Sequence, residues 1–187
     1  MPDGTELSRP VSYSLVTLPN AITFARLCAV PVAVWLVLQE DFAFAFWLFA
    51  AAGASDAIDG WLARRQGTSY VGALLDPVAD KALLVTMYIT LAAVRVLPDW
   101  LAILVVFRDA VIVGGVAVLS MLGQPPLIRP LMISKLNTAL QIVLVAMAML
   151  LAALGMSAPL AMWALAWAVA CSTLASGAAY VWKAARP

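Results

Sequence analysis

The sequence predicts an all-α membrane protein, a bundle of six transmembrane helices with the N- and C-termini in the cytosol. Three observations lead to this prediction. The 187 residues are 65% hydrophobic and only 11% charged, whereas soluble domains are about 25% charged. Apolar runs of about 20 residues, long enough to cross a bilayer as a helix, recur along most of the chain. Basic residues fall mainly in alternate connecting segments, which indicates the orientation.

Breaks in the apolar pattern divide the chain into its elements. The first 14 residues, MPDGTELSRPVSYS, form a polar cytosolic tail without the basic start and short apolar core of a signal peptide. Residues 15–187 form one helical domain. The predicted spans are Pro19–Leu38, Phe42–Ala63, Val71–Val94, Pro98–Leu122, Ile133–Leu154 and Pro159–Trp182.

Each connection contains residues that commonly end helices, or charges that avoid the bilayer. In chain order the connections are Gln39-Glu40-Asp41, Arg64–Ser69, Arg95 with Pro98-Asp99, Gly123–Pro130 and Gly155–Pro159.

Orientation follows from lysine and arginine, which are enriched in short cytoplasmic segments. The tail, the second and fourth connections and the C-terminus contain Arg9, Arg64, Arg65, Arg129, Lys183 and Arg186, with Lys135 just inside the fifth span. The other connections contain only Arg95. Both termini and the connection after the second span are therefore predicted to face the cytosol. The lack of a long Arg- and Ser-rich presequence favours a bacterial cytoplasmic membrane over a mitochondrial one.

Some partners and chemistries are disfavoured by composition. A net charge of +1 and the lack of a basic run argue against nucleic acid as a partner. Cys28 and Cys171 lie in apolar segments without a partner motif, so we expect them to be packing residues.

Four aspartates stand out in this apolar chain. Asp56 and Asp59 are three residues apart near the inner end of the second span, and Asp76 and Asp80 are four apart near the start of the third. At 3.6 residues per turn, both spacings put a pair on one helix face. A short connection makes the two helices antiparallel neighbours, so we expect the four carboxylates to converge just below the cytosolic interface.

Four carboxylates at that depth cannot all stay ionised unless cations neutralise them. Oxygen ligands without histidine or cysteine favour hard ions such as Mg²⁺ or Mn²⁺, and four are enough for the two ions typical of phosphoryl transfer. The alternative is that the aspartates solvate helix ends or pair with Arg64, Arg65 and Lys81.

The spacing of these residues carries a family resemblance. Asp56-x-x-Asp59-Gly60-x-x-Ala63-Arg64, followed by Gly72-x-x-x-Asp76-x-x-x-Asp80, resembles the signature of the CDP-alcohol phosphotransferase family. One departure is that seven residues, rather than the more usual eight, separate Arg64 from Gly72.

The resemblance implies a homodimer of six-helix chains that transfers a phosphoalcohol group from a CDP-activated donor to an acceptor hydroxyl and releases CMP. It implies that Asp56, Asp59, Asp76 and Asp80 bind two ions of Mg²⁺ or Mn²⁺, and that Asp80 is also the catalytic base. Gly60 and Ala63 would admit the cytidine, with Arg64 near its phosphates. The implied donor-binding set is Asn20, Thr23, Asp56, Gly60, Ala63, Arg64 and Gly72.

The acceptor must be inferred from other segments, namely "LPNAITFARLCAVP" (18–31), "VVFRDAVIVGG" (105–115) and "MISKLNTALQ" (132–141). These resemble the CDP-dependent cardiolipin synthases. Arg108 would bind an acceptor phosphate, because an arginine at that depth needs a purpose or a partner and Asp109 is expected to point to a different side of the helix. The predicted acceptor-binding residues are Arg26, Arg108, Lys135 and Asn137.

Phosphatidylglycerophosphate synthases have a similar opening, with a second arginine in span four and a Lys-x-Lys-Thr pattern in span five. This chain has neither, and fewer cations favour a monoanionic phosphodiester over a phosphomonoester dianion. We therefore predict transfer from CDP-diacylglycerol to phosphatidylglycerol, with lateral openings between helices for the acyl chains.

Other interpretations stay open. Glycerol 3-phosphate as acceptor is the nearest alternative, and a cation transporter is a remote one because the charges cluster toward one interface. Asn20, Thr23, Thr138 and Gln141 are also consistent with hydrogen bonds between helices. Ser172, Ser176-Gly177 and Tyr180 fit a seam between helices or between subunits.

Overall fold

The protein is all-helical in the residues that the structure describes. The computed structural model describes residues 18–66, 70–121 and 132–184, with the side chains of residues 24–55, 81–115 and 132–180. These residues form α1 (Leu18–Leu38), α2 (Phe42–Gln66), α3 (Tyr70–Ala93), α4 (Asp99–Met121), α5 (Met132–Ala153) and α6 (Pro159–Ala184). Each helix begins and ends within three residues of its predicted span. The predicted polar tail, residues 1–14, lies outside the described residues.

Three helices end with the same backbone turn. Residues Glu40, Arg95 and Gly155, which follow α1, α3 and α5, have φ angles of +61°, +62° and +60°. After each, an amide N–H donates to a carbonyl five residues earlier, with a donor–acceptor distance of 2.9 Å in all three cases. This is the Schellman arrangement, which satisfies carbonyls that the helix end leaves without partners. It reverses the chain within a few residues.

Helix α1 lies between its two successors in the bundle. It packs against α2 and α3, while α5 packs against α6 and α2, and α4 against α3 and α6. Among the described residues α2 and α3 do not contact each other. The prediction that they are neighbours concerns the ends next to their connection, residues 56–80, whose side chains lie outside the described residues. It therefore stays a prediction.

The outer surface of the bundle is apolar. Large apolar side chains are exposed on every helix, among them Trp35, Trp47, Ile89, Phe107, Val143 and Leu174. Soluble monomers rarely expose so much contiguous apolar surface. In the described part of the chain, Met132–Ala153 and Pro159–Tyr180 are long and apolar enough to cross a membrane. The number of spans and the side on which the termini lie stay predictions.

Candidate active site

The predicted metal-binding aspartates lie on unbroken helices. Asp56 and Asp59 belong to α2, which runs from Phe42 to Gln66, and Asp76 and Asp80 belong to α3, which runs from Tyr70 to Ala93. Each pair therefore shares one helix face. Four carboxylates without histidine or cysteine fit a hard divalent ion, so the donor chemistry fits the predicted cofactor.

The side chains of this motif lie outside the described residues. The same holds for the rest of the predicted donor site: Asn20, Thr23, Gly60, Ala63, Arg64 and Gly72. Among the side chains that are described, there is no group of three or more histidines, cysteines, aspartates or glutamates that could hold a metal. The predicted metal and donor sites therefore stay predictions.

A cavity of about 570 Å³ lies between α1, α2, α3 and α5. Its lining includes Arg26, Lys81 and Thr138, and the remaining lining residues are uncharged, including Phe46, Phe49, Gly53, Leu84, Ile142 and Ala146. Arg26 and Thr138 lie in the halves of α1 and α5 predicted to face the cytosol, whereas Gly53 and Lys81 lie at the middle of α2 and α3. The cavity thus has two cations, Arg26 and Lys81, in a lining that is otherwise uncharged.

Three charged side chains next to the cavity form a chain of ion pairs. Asp109 on α4 accepts from Lys81 Nζ at 2.8 Å and from Arg108 Nη1 at 2.7 Å, through different carboxylate oxygens. The expectation that Asp109 points away from Arg108 is wrong. Neighbouring residues leave a helix about 100° apart, but the arginine side chain is long enough to turn back to the carboxylate beside it.

Arg108 also joins α4 to two other helices. Its Nη2 donates to Ser134 on α5 at 2.9 Å and to Ser176 on α6. The guanidinium carbon lies 5.9 Å from the centre of the Tyr180 ring, within the range of a cation–π contact. Gly177 packs beside the arginine, and a Cβ there would lie in ordinary van der Waals contact, 3.7 Å from Arg108 Cγ. Ser176, Gly177 and Tyr180 thus form a seam between helices of one chain.

Asn137 is the predicted acceptor residue with the clearest orientation. It is fully buried on α5. Its Oδ1 accepts from the Ser172 hydroxyl at 2.7 Å and from the Thr173 hydroxyl at 2.8 Å. Its Nδ2 has no hydrogen-bond partner among the described residues. Two hydroxyls on α6 therefore fix the amide with its donor group still available.

The remaining predicted acceptor residues are placed differently. Arg26 is buried and lines the cavity, whereas Lys135 is exposed near the start of α5. Thr138 and Gln141 on α5, which were candidates for hydrogen bonds between helices, make no side-chain hydrogen bond to another helix among the described residues. Thr138 donates to the Ser134 carbonyl of its own helix, and the buried Gln141 amide makes no side-chain hydrogen bond among the described residues.

The comparison with known families agrees with this arrangement. The family model described as CDP-alcohol phosphatidyltransferase matches residues 16–174. The chain belongs to the CDP-alcohol phosphatidyltransferase family. The resemblance predicted from the aspartate motif is confirmed. Members of this family are generally dependent on divalent metal.

Curated relatives of this chain include two kinds of enzyme. A cardiolipin synthase (CMP-forming) / mitochondrial hydrolase fusion protein of Schizosaccharomyces pombe is 34% identical over 93% of the chain and 32% of the relative. A cardiolipin synthase (CMP-forming) of Rattus norvegicus is 34% identical over 70% of the chain and 49% of the relative. A chloroplastic CDP-diacylglycerol--glycerol-3-phosphate 3-phosphatidyltransferase 1 of Oryza sativa subsp. japonica is 36% identical over 95% and 61%. The chain thus spans between about a third and three fifths of these relatives' lengths.

Sequence reasoning did not find the polar contacts that join the helices. It treated Lys81 only as a partner for the aspartate motif, it placed Ser172 only in a seam between helices or subunits, and it gave Ser134 and Thr173 no role. The spacing of Ser172, Thr173 and Ser176 on α6 was the available signal. It places three hydroxyls on nearby turns, but only the packing shows that they meet Asn137 and Arg108.

Proposed function

We propose that this phosphatidyltransferase transfers the phosphatidyl group of CDP-diacylglycerol to phosphatidylglycerol, forming cardiolipin and CMP. In this reaction an acceptor hydroxyl oxygen forms a bond to the phosphatidyl phosphorus, and the bond from that phosphorus to CMP breaks. Asp80 takes the hydroxyl proton, as a carboxylate beside the acceptor oxygen can. The aspartates of α2 and α3 would hold divalent ions, which supply positive charge opposite the pyrophosphate.

The observation that carries the choice of acceptor is the charge balance beside the cavity. Lys81 and Arg108 share one carboxylate, Asp109, so this cluster has one net positive charge. Phosphatidylglycerol presents a monoanionic phosphodiester, which one positive charge balances. Glycerol 3-phosphate presents a phosphomonoester close to a dianion at neutral pH, which this cluster balances only together with a second cation such as Arg26.

The proposed acceptor contacts come from four side chains. Arg26 lines the cavity, and Asn137 offers Nδ2. Arg108 offers Nε, which has no hydrogen-bond partner among the described residues, and Lys135 is exposed near the start of α5. Asn20, Thr23, Gly60, Ala63, Arg64 and Gly72 would hold the CDP end of the donor.

The cavity supports a lipid acceptor. Its volume of about 570 Å³ falls within the roughly 300–1,000 Å³ of sites that bury small ligands, and its inner lining suits an acyl chain. The apolar outer surface supports a chain embedded in a membrane by six spans, with the aspartate motif facing the cytosol. We also propose that the enzyme is a homodimer and that its membrane is a bacterial cytoplasmic membrane.

Product analysis tests the acceptor. The purified protein is given CDP-diacylglycerol and Mg²⁺ or Mn²⁺, with phosphatidylglycerol in one reaction and glycerol 3-phosphate in another, and the lipid product is identified by mass spectrometry. We expect cardiolipin and CMP with phosphatidylglycerol. A product formed only with glycerol 3-phosphate would overturn the acceptor assignment in favour of phosphatidylglycerophosphate synthesis, the activity printed in the name of the rice relative.

Two aspartate variants serve as controls in this assay. Asp80→Asn should abolish turnover while metal-dependent binding of CDP-diacylglycerol is largely kept, because the base is lost and three carboxylates remain. Asp99→Asn removes an exposed carboxylate at the start of α4 that pairs with Arg95, and it should leave turnover unchanged. An equal loss of binding and turnover in Asp80→Asn would show that this aspartate is not the base.

A further inference from the structure

Lys81 is the half-exposed cation of the cluster beside the cavity. It follows the predicted base Asp80 directly on α3, and its side chain lines the cavity together with Arg26 and Thr138. The Lys81 side chain is 34% exposed, whereas the Arg108 side chain is 6% exposed. Of the two cations that Asp109 binds, only Lys81 lines this cavity.

Asp109 fixes where the Lys81 ammonium lies. Its Oδ2 accepts from Lys81 Nζ at 2.8 Å, and its Oδ1 accepts from Arg108 at 2.7 Å. Arg108 is anchored in turn by Ser134 and Ser176, so the carboxylate is held from the side of α5 and α6. An ammonium has three N–H donors, and Asp109 takes one of them. Two donors therefore remain for a ligand in the cavity.

We propose that Lys81 binds the phosphate of a lipid whose acyl chain occupies the cavity, and that Asp109 is the positioning residue that holds the lysine there. The identity of the lipid rests on the proposed function. Two phosphates could meet the lysine, one in the CDP-linked donor and one in the phosphatidylglycerol acceptor, and both are anions attached to acyl chains. In this arrangement Arg108 anchors Asp109, and the lysine makes the ligand contact.

The geometry favours Lys81 over Arg108 for this contact. Both terminal nitrogens of Arg108 already donate to protein oxygens, so a phosphate would have to displace those bonds to reach them. The lysine needs no such exchange, because Asp109 takes only one of its three donors and its side chain is part of the cavity lining. Asp109 keeps both oxygens satisfied inside the bundle, which offsets the cost of burying a carboxylate.

Kinetics of Lys81 variants test the proposal. Lys81→Met should raise the KM of one lipid by at least about tenfold, which corresponds to the loss of one charge-assisted hydrogen bond, with a smaller change in kcat. Lys81→Arg should recover much of that loss, since it keeps the charge. Arg95→Met is the matched control, because it removes a cation that also pairs with an aspartate but lies at the exposed end of α3. It should leave both KM values unchanged.

The affected lipid identifies the phosphate. A rise in the KM of phosphatidylglycerol assigns Lys81 to the acceptor, and a rise in that of CDP-diacylglycerol assigns it to the donor. KM values within about twofold of wild type for both lipids would overturn the proposal, whatever the change in thermal stability. If the enzyme proves to use only glycerol 3-phosphate, the proposed function fails. The role of Lys81 in binding a lipid phosphate is then tested by the KM of CDP-diacylglycerol alone.

Asp109→Asn tests the positioning role, with binding measured apart from turnover. Purified variants are incubated with Mg²⁺ and either phosphatidylglycerol or CDP-diacylglycerol alone, so that no transfer occurs, and the retained lipid is quantified by mass spectrometry against phosphatidylcholine. Lys81→Met and Asp109→Asn should both lower retention of the same anionic lipid. The double variant should be no weaker than Lys81→Met alone, because Asp109 acts through the lysine. Additive losses in the double variant would overturn the positioning role.

Discussion

Asn137 shows how a single side chain can be oriented by the helix opposite to it. Its Oδ1 accepts hydrogen bonds from Ser172 and Thr173 on α6, at 2.7 and 2.8 Å. The amide is fully buried, and in this orientation Oδ1 faces the two hydroxyls. Nδ2 is the group that the proposed acceptor contact would use.

Replacing Thr173 tests this orientation. Thr173→Val keeps the side-chain shape and removes one of the two donors, so we expect a loss of about 1 kcal/mol in stability. Because the amide is then less firmly held, the KM of phosphatidylglycerol should rise by about fivefold, the equivalent of about 1 kcal/mol. Thermal unfolding in detergent and steady-state kinetics measure the two effects.

Thr173→Ser is the control for this prediction. It keeps the hydroxyl and removes only a methyl group, so the KM of phosphatidylglycerol should stay near the wild-type value. Should Thr173→Val lower stability while leaving that KM unchanged, Asn137 would have a structural role only.

At the residue scale the sequence predicted which side chains matter better than what they contact. Arg108 was singled out because a buried arginine in an apolar helix needs a partner, and the structure shows it at the centre of the polar contacts. Its actual partners could not be predicted. Helical spacing gives the direction in which a side chain leaves the backbone, but a side chain as long as arginine can turn back toward its neighbour. The serines that bind Arg108 lie on other helices, and only the packing of the helices brings them close to it.

At the scale of the helices, the turns after α1, α3 and α5 share one geometry but differ in the residue that adopts it. Gly155 adopts the left-handed conformation without steric cost. Glu40 and Arg95 adopt nearly the same φ with a side chain present, at a cost of roughly 1 kcal/mol each. The Schellman hydrogen bonds are the same in all three turns, so the difference lies in the residue alone.

Exchanging glycine and non-glycine residues at these turns tests that interpretation. Gly155→Ala should lower stability by about 1 kcal/mol, because alanine is strained at this positive φ. A steric clash does not add to this loss, since no atom lies within 4 Å of the added Cβ. Glu40→Gly should raise stability or leave it unchanged, since it relieves the same strain while loosening the unfolded chain. Thermal unfolding in detergent measures both, and a stabilising Gly155→Ala would contradict the prediction.

Helix boundaries were predictable because they depend on local chemistry. Charges, prolines and glycines interrupt the apolar runs, and these residues lie at the turns that the structure shows. The order in which helices pack was not predictable in the same way. The position of α1 against both α2 and α3 depends on which apolar faces fit together. Because these helices are apolar on nearly all sides, the sequence does not indicate which face of a helix packs against its neighbours.

Across the whole molecule, charge and apolar surface are separated along the helix direction. The cluster of Lys81, Arg108 and Asp109 lies near the aspartate motif, whereas the Arg95–Asp99 pair lies at the connection between α3 and α4. Between these levels the core is almost entirely apolar. In the proposed reaction a water-soluble nucleotide and an acyl chain both reach one site, and this separation would allow each to approach from the medium that suits it.

Accessibility of introduced cysteines tests the predicted orientation of the whole bundle. In a background with Cys28→Ala and Cys171→Ala, whose native thiols are exposed on helix faces, Glu40→Cys and Arg95→Cys should react with a membrane-impermeant maleimide in intact bacterial spheroplasts. Gln66→Cys and Gln124→Cys should react only after permeabilisation, because their connections contain the basic residues that stay cytosolic. Reaction of all four in intact spheroplasts would contradict six spans, and the reverse pattern would contradict a cytosolic active site.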